Sequence, residues 1–160
     1  MDLNIDPLIA SSNECPSDTE TVTSLLAIAK STRAFIALLL SDIDLHPGQD
    51  QLLVRLLPSE PVSVSVLADD LSVRPSTISK MLDRLIEKGL VERGAHKIDL
   101  RRTMVQLTPK GESAREKVFE VWRKLDVDLI GTLNDEERVV LGESLHKIEA
   151  LLAQRLRRLR

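Results

Sequence analysis

Between Pro75 and Gly89 the chain places short hydroxyls and long cations where they could read a nucleic acid. Ile78, Met81, Leu82 and Leu85 recur at spacings of three and four, so a helix here turns them to one side. The opposite side then carries Ser76, Thr77, Ser79, Lys80 and Arg84. Hydroxyls suit base edges and cations suit phosphates. A second basic group, His96, Lys97, Arg101 and Arg102, follows at what reads as the tip of a hairpin. Such a tip could enter a minor groove or track the backbone. The duller alternative is an ordinary amphipathic helix and hairpin with solvated charges.

These residues need elements to position them. Val64, Leu67, Ala68 and Leu71 predict a helix, Ser72 to Arg74 a turn, and Pro75 the first turn of the next helix. Gly89 stops that second helix, because glycine accepts the left-handed conformation past a helix end. Val91 leads into one strand, and Thr103, Val105 and Leu107 alternate along the return strand. Helix, turn, helix and basic hairpin make a winged helix-turn-helix, which lays its second helix in a DNA major groove.

A net charge of −3 on 160 residues would disfavour DNA if it were spread evenly, but it is not. Residues 1–73 hold three Lys/Arg against eleven Asp/Glu, residues 74–115 ten against five, and residues 116–160 nine against nine. The positive charge lies on the proposed DNA face, and acidic regions beyond a Debye length of ~8 Å are screened from it. Hydrophobic content of 42% and charged content of 29% describe a globular chain with one full core. No apolar run approaches the ~20 residues of a membrane span, and the first residues are acidic rather than a basic signal start. One cysteine cannot form an internal disulfide. These features together point to a cytoplasmic protein without a membrane partner.

The flanks suggest a dimer. Residues 1–16 lack a hydrophobic period and read as a flexible tail. Residues 17–44 form a dimerisation helix of about Asp18 to Ile43, with Ser17 and Glu20 as its capping box and only Lys30 and Arg33 as charges in a long apolar stretch. Residues 45–110 form the winged domain, beginning with a short helix entered at Pro47, on which Leu52, Leu53 and Leu56 face the core. Residues 111–160 complete the dimerisation region. Thr108 caps a long helix, Asn134 with Glu137 starts the last one, and Leu141, Leu145, Ile148, Leu152, Leu156 and Leu159 form a near-heptad seam. The expected fold is therefore mainly α with a small β wing, a winged helix-turn-helix between N- and C-terminal dimerisation helices. Two-fold dimers suit palindromic sites.

The order of these elements resembles the MarR family of bacterial transcriptional regulators. The most specific match is Asp99, Arg101, Val105, Leu107, Thr108 and Gly111 in the wing frame. The stretch LADDLSVRPSTISKMLDRLIEKGLVER is similar to the family's helix-turn-helix, and Leu45, Pro47 and Gln49 resemble its second helix. The resemblance implies a homodimer on double-stranded DNA, most often a repressor on a palindromic operator. It implies that Arg101 approaches the minor groove with Asp99 bracing it, and that Ser76, Thr77 and Lys80 face DNA. Arg74 stands where the family often has a Ser cap, which makes it a phosphate contact. Leu100 replaces a residue that is frequently charged there, so one expected wing contact is missing.

The resemblance also implies a small aromatic acid as effector, with Phe35, Ile36, Trp122 and Leu56 as walls and Arg33 or His46 as the polar anchor. The duller reading of Lys30 and Arg33 has their stems packed and their heads solvated. Cys15 invites comparison with redox-sensing members, but Glu14 and Asp18 would raise its thiol pKa and the chain has no tyrosine to help hold a thiolate. His46, His96 and His146 lack metal-ligand spacing, so no metal and no cofactor is expected. No phosphate loop and no nucleophile beside a base is present, and Asp69 and Asp70 read as solvated, so an enzyme is not expected. Two alternatives remain open at this point: a winged protein-interaction module, and a redox-sensing regulator using Cys15.

Overall fold

The structure is a computed structural model that describes residues 19–95 and 103–159. It is mainly helical, with helices α1 (Glu20–Ser41), α2 (Gln49–Arg55), α3 (Val64–Asp70), α4 (Pro75–Glu87), α5 (Pro109–Ile130) and α6 (Asp135–Arg158). Strands β1 (Val62–Ser63), β2 (Val91–Ala95) and β3 (Thr103–Leu107) complete it. The chain divides into two compact units, Met1–Phe35 and Ile36–Arg160.

In the second unit the local rules hold residue by residue. Ser63 caps α3 by accepting from the Val66 N–H at 3.3 Å, and Leu67 and Ala68 are buried. After Ser72, which takes a left-handed φ of 53°, Pro75 opens α4. That helix buries Ile78, Leu82 and Leu85, and each such side chain contributes about 1.5–3 kcal/mol of hydrophobic stabilisation. Gly89 ends it with a φ of +68°, as its type predicts. The α4 side chains meet Leu40, Leu45, Leu52, Leu53 and Leu56 from upstream, and Val91, Val105 and Val118 from downstream, in one core.

The wing departs from the expected hairpin in one respect. It is a three-stranded antiparallel sheet in the order β1-β3-β2. β2 pairs with β3 from Val91↔Leu107 to Ala95↔Thr103, and β1 adds Val62↔Val105 and Ser63↔Met104 on the other edge. A two-residue strand is too short to show an alternating period, so β1 has no signature in the sequence. The short helix also starts later than Pro47 suggests. Gly48, at φ +95°, precedes α2, whose first residues close its entry: Gln49 Oε1 accepts from the His46 N–H at 3.0 Å and Asp50 Oδ1 from the Gly48 N–H at 2.8 Å.

Helix starts downstream follow their caps. Thr108 Oγ1 accepts from the Gly111 N–H at 3.0 Å, and Asn134 and Glu137 form a reciprocal capping box at 3.0 and 2.8 Å. α5 buries Val118 and Leu125, whereas α6 has no buried residue. The expected cap of α1 at Ser17 lies outside the described residues. Against the expectation that no apolar run approaches a membrane span, that helix, at 22 residues, is long and apolar enough to cross one by length and composition. Lys30 and Arg33 near its middle oppose such a placement, at ~2.5–3.5 kcal/mol for a cation at the bilayer centre.

Gly111 shows why α5 starts where it does. A Cβ there would lie 1.8 Å from the Leu90 carbonyl oxygen and 3.2 Å from Leu107 Cδ2. Gly111→Ala should lower stability in chemical denaturation by at least about 1–3 kcal/mol, as overpacking does. Gly142→Ala, where a Cβ meets nothing within 4 Å, should instead be neutral or gain up to ~1 kcal/mol from helix propensity. Equal stabilities for the two variants would contradict this packing.

Candidate nucleic-acid interface

The interface is built on α4 because its burial is one-sided. With Ile78, Leu82 and Leu85 inside, Ser76, Thr77, Lys80 and Arg84 are exposed on the outer side and Ser79 is half-buried toward the wing. Arg74 is exposed at the helix N-cap and makes no side-chain capping bond there. Its head is therefore not committed to closing its own helix. The free N–H groups and the helix dipole at this end favour an anion, and Pro75 lacks an N–H where none is needed.

Residues that spacing alone does not mark also join this face. A groove of ≈ 420 Å³ runs between the start of α3, the start of α4 and the base of the wing, bordered by Ser63, Ser65, Ser79, Thr103 and Arg93. Arg93 lies on β2 and forms an ion pair with Asp83 of α4 at 2.7 Å. That pair ties the wing strand to the helix and offsets the Asp83 carboxylate next to Arg84. Both partners are more than a third exposed, so the pair contributes at most about 1 kcal/mol to stability, and its effect is orientation. Arg93 was legible as a cation in a strand; its pairing with Asp83 was not, because register and helix rotation both have to be known first. A cross-strand bond from Gln106 Nε2 to Glu92 Oε1 braces β2 against β3.

The wing-tip residues His96, Lys97, Asp99, Arg101 and Arg102 lie outside the described residues, as does Cys15. Residues expected around an effector are found in different settings. Arg33 and Phe35, in the first unit, are exposed. In the second unit, His46 is exposed and Ile36 packs partly against the core. Leu56 is fully buried within that core, as its place on the core-facing side of the short helix predicts.

Trp122 is half-buried and donates its Nε1–H to Asp50 Oδ2 at 3.3 Å. It meets Phe119 edge-to-face with centroids 6.2 Å apart, and Arg115 stacks over the Phe119 ring at 4.7 Å. Asp50 is buried, and its two oxygens are met by the Gly48 N–H and the indole. Asp69, Asp70 and His146 are exposed, and among the described residues no group of three or more His, Cys, Asp or Glu could hold a metal ion.

Comparison with known proteins places this geometry. The MarR family profile matches residues 45–103, from just before the short second helix to the first residue of β3. A putative transcriptional regulatory protein for the hcr operon of Thauera aromatica is 33% identical over 95 residues, which is 59% of this chain and 57% of that protein. The alignment thus spans just over half the length of that relative. A crystal structure of MarR superposes with a TM-score of 0.76 at 26% identity, covering 90% of this chain and 97% of that one. A mutant MarR from E. coli complexed with operator DNA has the same fold, with a TM-score of 0.70 at 24% identity over 83% of this chain and 99% of that one.

Proposed function

This chain belongs to the MarR family of transcriptional regulators, with that family's DNA-binding winged helix, and from that premise we propose a homodimeric repressor acting on a palindromic operator. It works in the cytoplasm and without catalysing a reaction. The observation that carries the proposal is the outer side of α4, where Ser76, Thr77, Lys80 and Arg84 stand exposed while the opposite side is locked into the core. The helix enters the major groove, with the hydroxyls reading base edges and Lys80, Arg84 and Arg74 holding phosphates. Wing residues His96, Lys97, Arg101 and Arg102 extend the contact along the duplex, and Asp99 orients Arg101.

Dimerisation follows from surface that one chain leaves wet. On α6, Leu145, Leu152 and Leu156 are 49%, 52% and 56% exposed along the expected seam. On α1, considered by itself, Leu26 is 67% and Ile28 57% exposed. Apolar area buried from water gives roughly 25 cal/mol per Å², so a second copy covering either helix is favoured. Residues 17–44 and 111–160 serve as the dimerisation regions and residues 45–110 as the DNA-binding domain. Release from DNA is assigned to a small aromatic acid held by Arg33, which shifts the dimer toward a spacing that misses successive major grooves.

Three outcomes test these assignments. Lys80→Ala should weaken operator binding by ~1–3 kcal/mol in a gel-shift titration while leaving the melting temperature unchanged, because a solvated cation adds little to folding. Unaltered affinity would remove Lys80 from the contact. Leu152→Glu should yield monomers by size exclusion with light scattering and lose operator binding with them, since burying an unpaired charge costs several kcal/mol. A folded Leu152→Glu dimer would place the interface elsewhere. Salicylate-like acids should bind wild type calorimetrically and weaken operator binding; binding indifferent to Arg33→Ala would leave Arg33 a structural cation.

A further inference from the structure

A duplex that takes α4 in its major groove and the β2–β3 hairpin along the adjacent minor groove must run one sugar–phosphate strand between them. That strand is the wall that separates the two grooves. In this protein the gap between helix and hairpin is the ≈ 420 Å³ groove at the starts of α3 and α4. On the DNA-binding role proposed above, the residues lining that groove face phosphate. Arg93 is the charged residue among that lining, Ser65, Ser79 and Thr103 supply hydroxyls, and no carboxylate stands among them.

Strand register aims Arg93 into this gap. Arg93 pairs with Val105, and Ala95 with Thr103. Alternate residues of a strand share a face, so Arg93 and Thr103 lie on the face that Val105 turns into the core. The guanidinium emerges beside α4, where its Nη2 donates to Asp83 Oδ1 at 2.7 Å. Among the described residues that is its one partner, so most of its N–H donors stay free. Asp83 is not part of the groove lining; it holds the arginine from the helix and leaves the groove side open. The hydroxyls differ in the same way. Ser63 Oγ is committed to capping α3 and meets Ser65 Oγ at 3.0 Å. Among the described residues no hydrogen bond engages the Ser79 or Thr103 hydroxyl.

We propose that Arg93 grips a phosphate of the strand that crosses between the two grooves, with Ser65, Ser79 and Thr103 lining the path of that strand. Asp83 is a positioning residue, which acts on DNA only through the arginine it holds. A phosphate contact carries no sequence information; it fixes register and orientation. Placed between helix and hairpin, this one sets how deep α4 sits and where the wing enters. Arg93 thereby joins Lys80, Arg84 and Arg74 as a contact, from a strand rather than from the recognition helix.

Titrations of the full-length protein against operator-bearing duplex recovered by genomic selection, and against an unrelated duplex, test this. Arg93→Gln should weaken both by about tenfold for each subunit engaged, so that the preference for operator is kept. The slope of log K against log salt should fall by about 0.9 per subunit, the share of one phosphate, whereas Arg93→Lys, which retains the charge, should keep it. Circular dichroism melts establish that the variants remain folded. Single methylphosphonates, each removing one phosphate charge, should reveal one position per half-site where wild type loses affinity and Arg93→Gln does not. Asp83→Asn should shift affinity differently in wild type and in Arg93→Gln; equal shifts in both would remove Asp83 as a positioning residue. Affinity and slope untouched by Arg93→Gln, or the same methylphosphonate profile for both proteins, overturns the contact while leaving DNA binding by α4 intact. Failure to select any duplex overturns the contact together with the DNA-binding role beneath it.

Discussion

The rest of the second unit depends on one knot of hydrogen bonds around Gly89 and Leu90. The Leu90 N–H donates back to the Leu85 carbonyl at 2.9 Å, closing the end of α4. The Leu90 carbonyl accepts from the Thr108 N–H at 3.1 Å, closing the wing against it. Thr108 Oγ1 donates to the Gly89 carbonyl at 2.7 Å while accepting from Gly111, so one hydroxyl joins the helix end, the strand return and the start of α5. Gly89 must take a positive φ to make the turn, and Gly111 must lack a Cβ to let α5 pass the Leu90 carbonyl. The recognition helix, the wing and the long α5 therefore share one anchor.

What the knot fixes, charge then uses. The anchor and the core hold the buried side of α4, and the opposite side needs nothing from the protein to be stable. Its cations are solvated in the free chain and available to phosphates, whose counterions are released on binding. Asp83 would oppose that arrangement, and Arg93 cancels it from the neighbouring strand. The net negative charge lies before residue 74, where eleven Asp/Glu stand against three Lys/Arg, so the net charge of −3 coexists with a positive reading face.

The parts of this fold that were legible in the sequence are those punctuated by residues with few conformations open to them. Pro75 and Gly89 bracket α4 because proline tolerates a first helical turn and glycine a left-handed end. Asn134 with Glu137, and Thr108 before Pro109, announce helix starts by the hydrogen bonds their side chains can make. β1 was not legible, since two residues carry no period and owe their strand to β3. Nor was the Asp83–Arg93 pair, or the serine-lined groove, because both join residues whose facing depends on tertiary rotation. Leu52, Leu53 and Leu56 were legible as core because they share one side of the short helix, and all three are fully buried.

If the outer side of α4 meets double-stranded DNA through its phosphates and bases, binding must carry the signature of released counterions. The most direct test is the affinity of the purified full-length protein for operator-bearing duplex fragments, recovered by genomic selection, across a series of salt concentrations. Counterion release requires log K to fall linearly with log salt by about 0.9 for every phosphate neutralised. A slope corresponding to several phosphates, with an unrelated duplex bound far more weakly, is the expected result. No selectable duplex, or an affinity indifferent to salt, would contradict DNA recognition by α4 and point to a winged domain that binds protein instead.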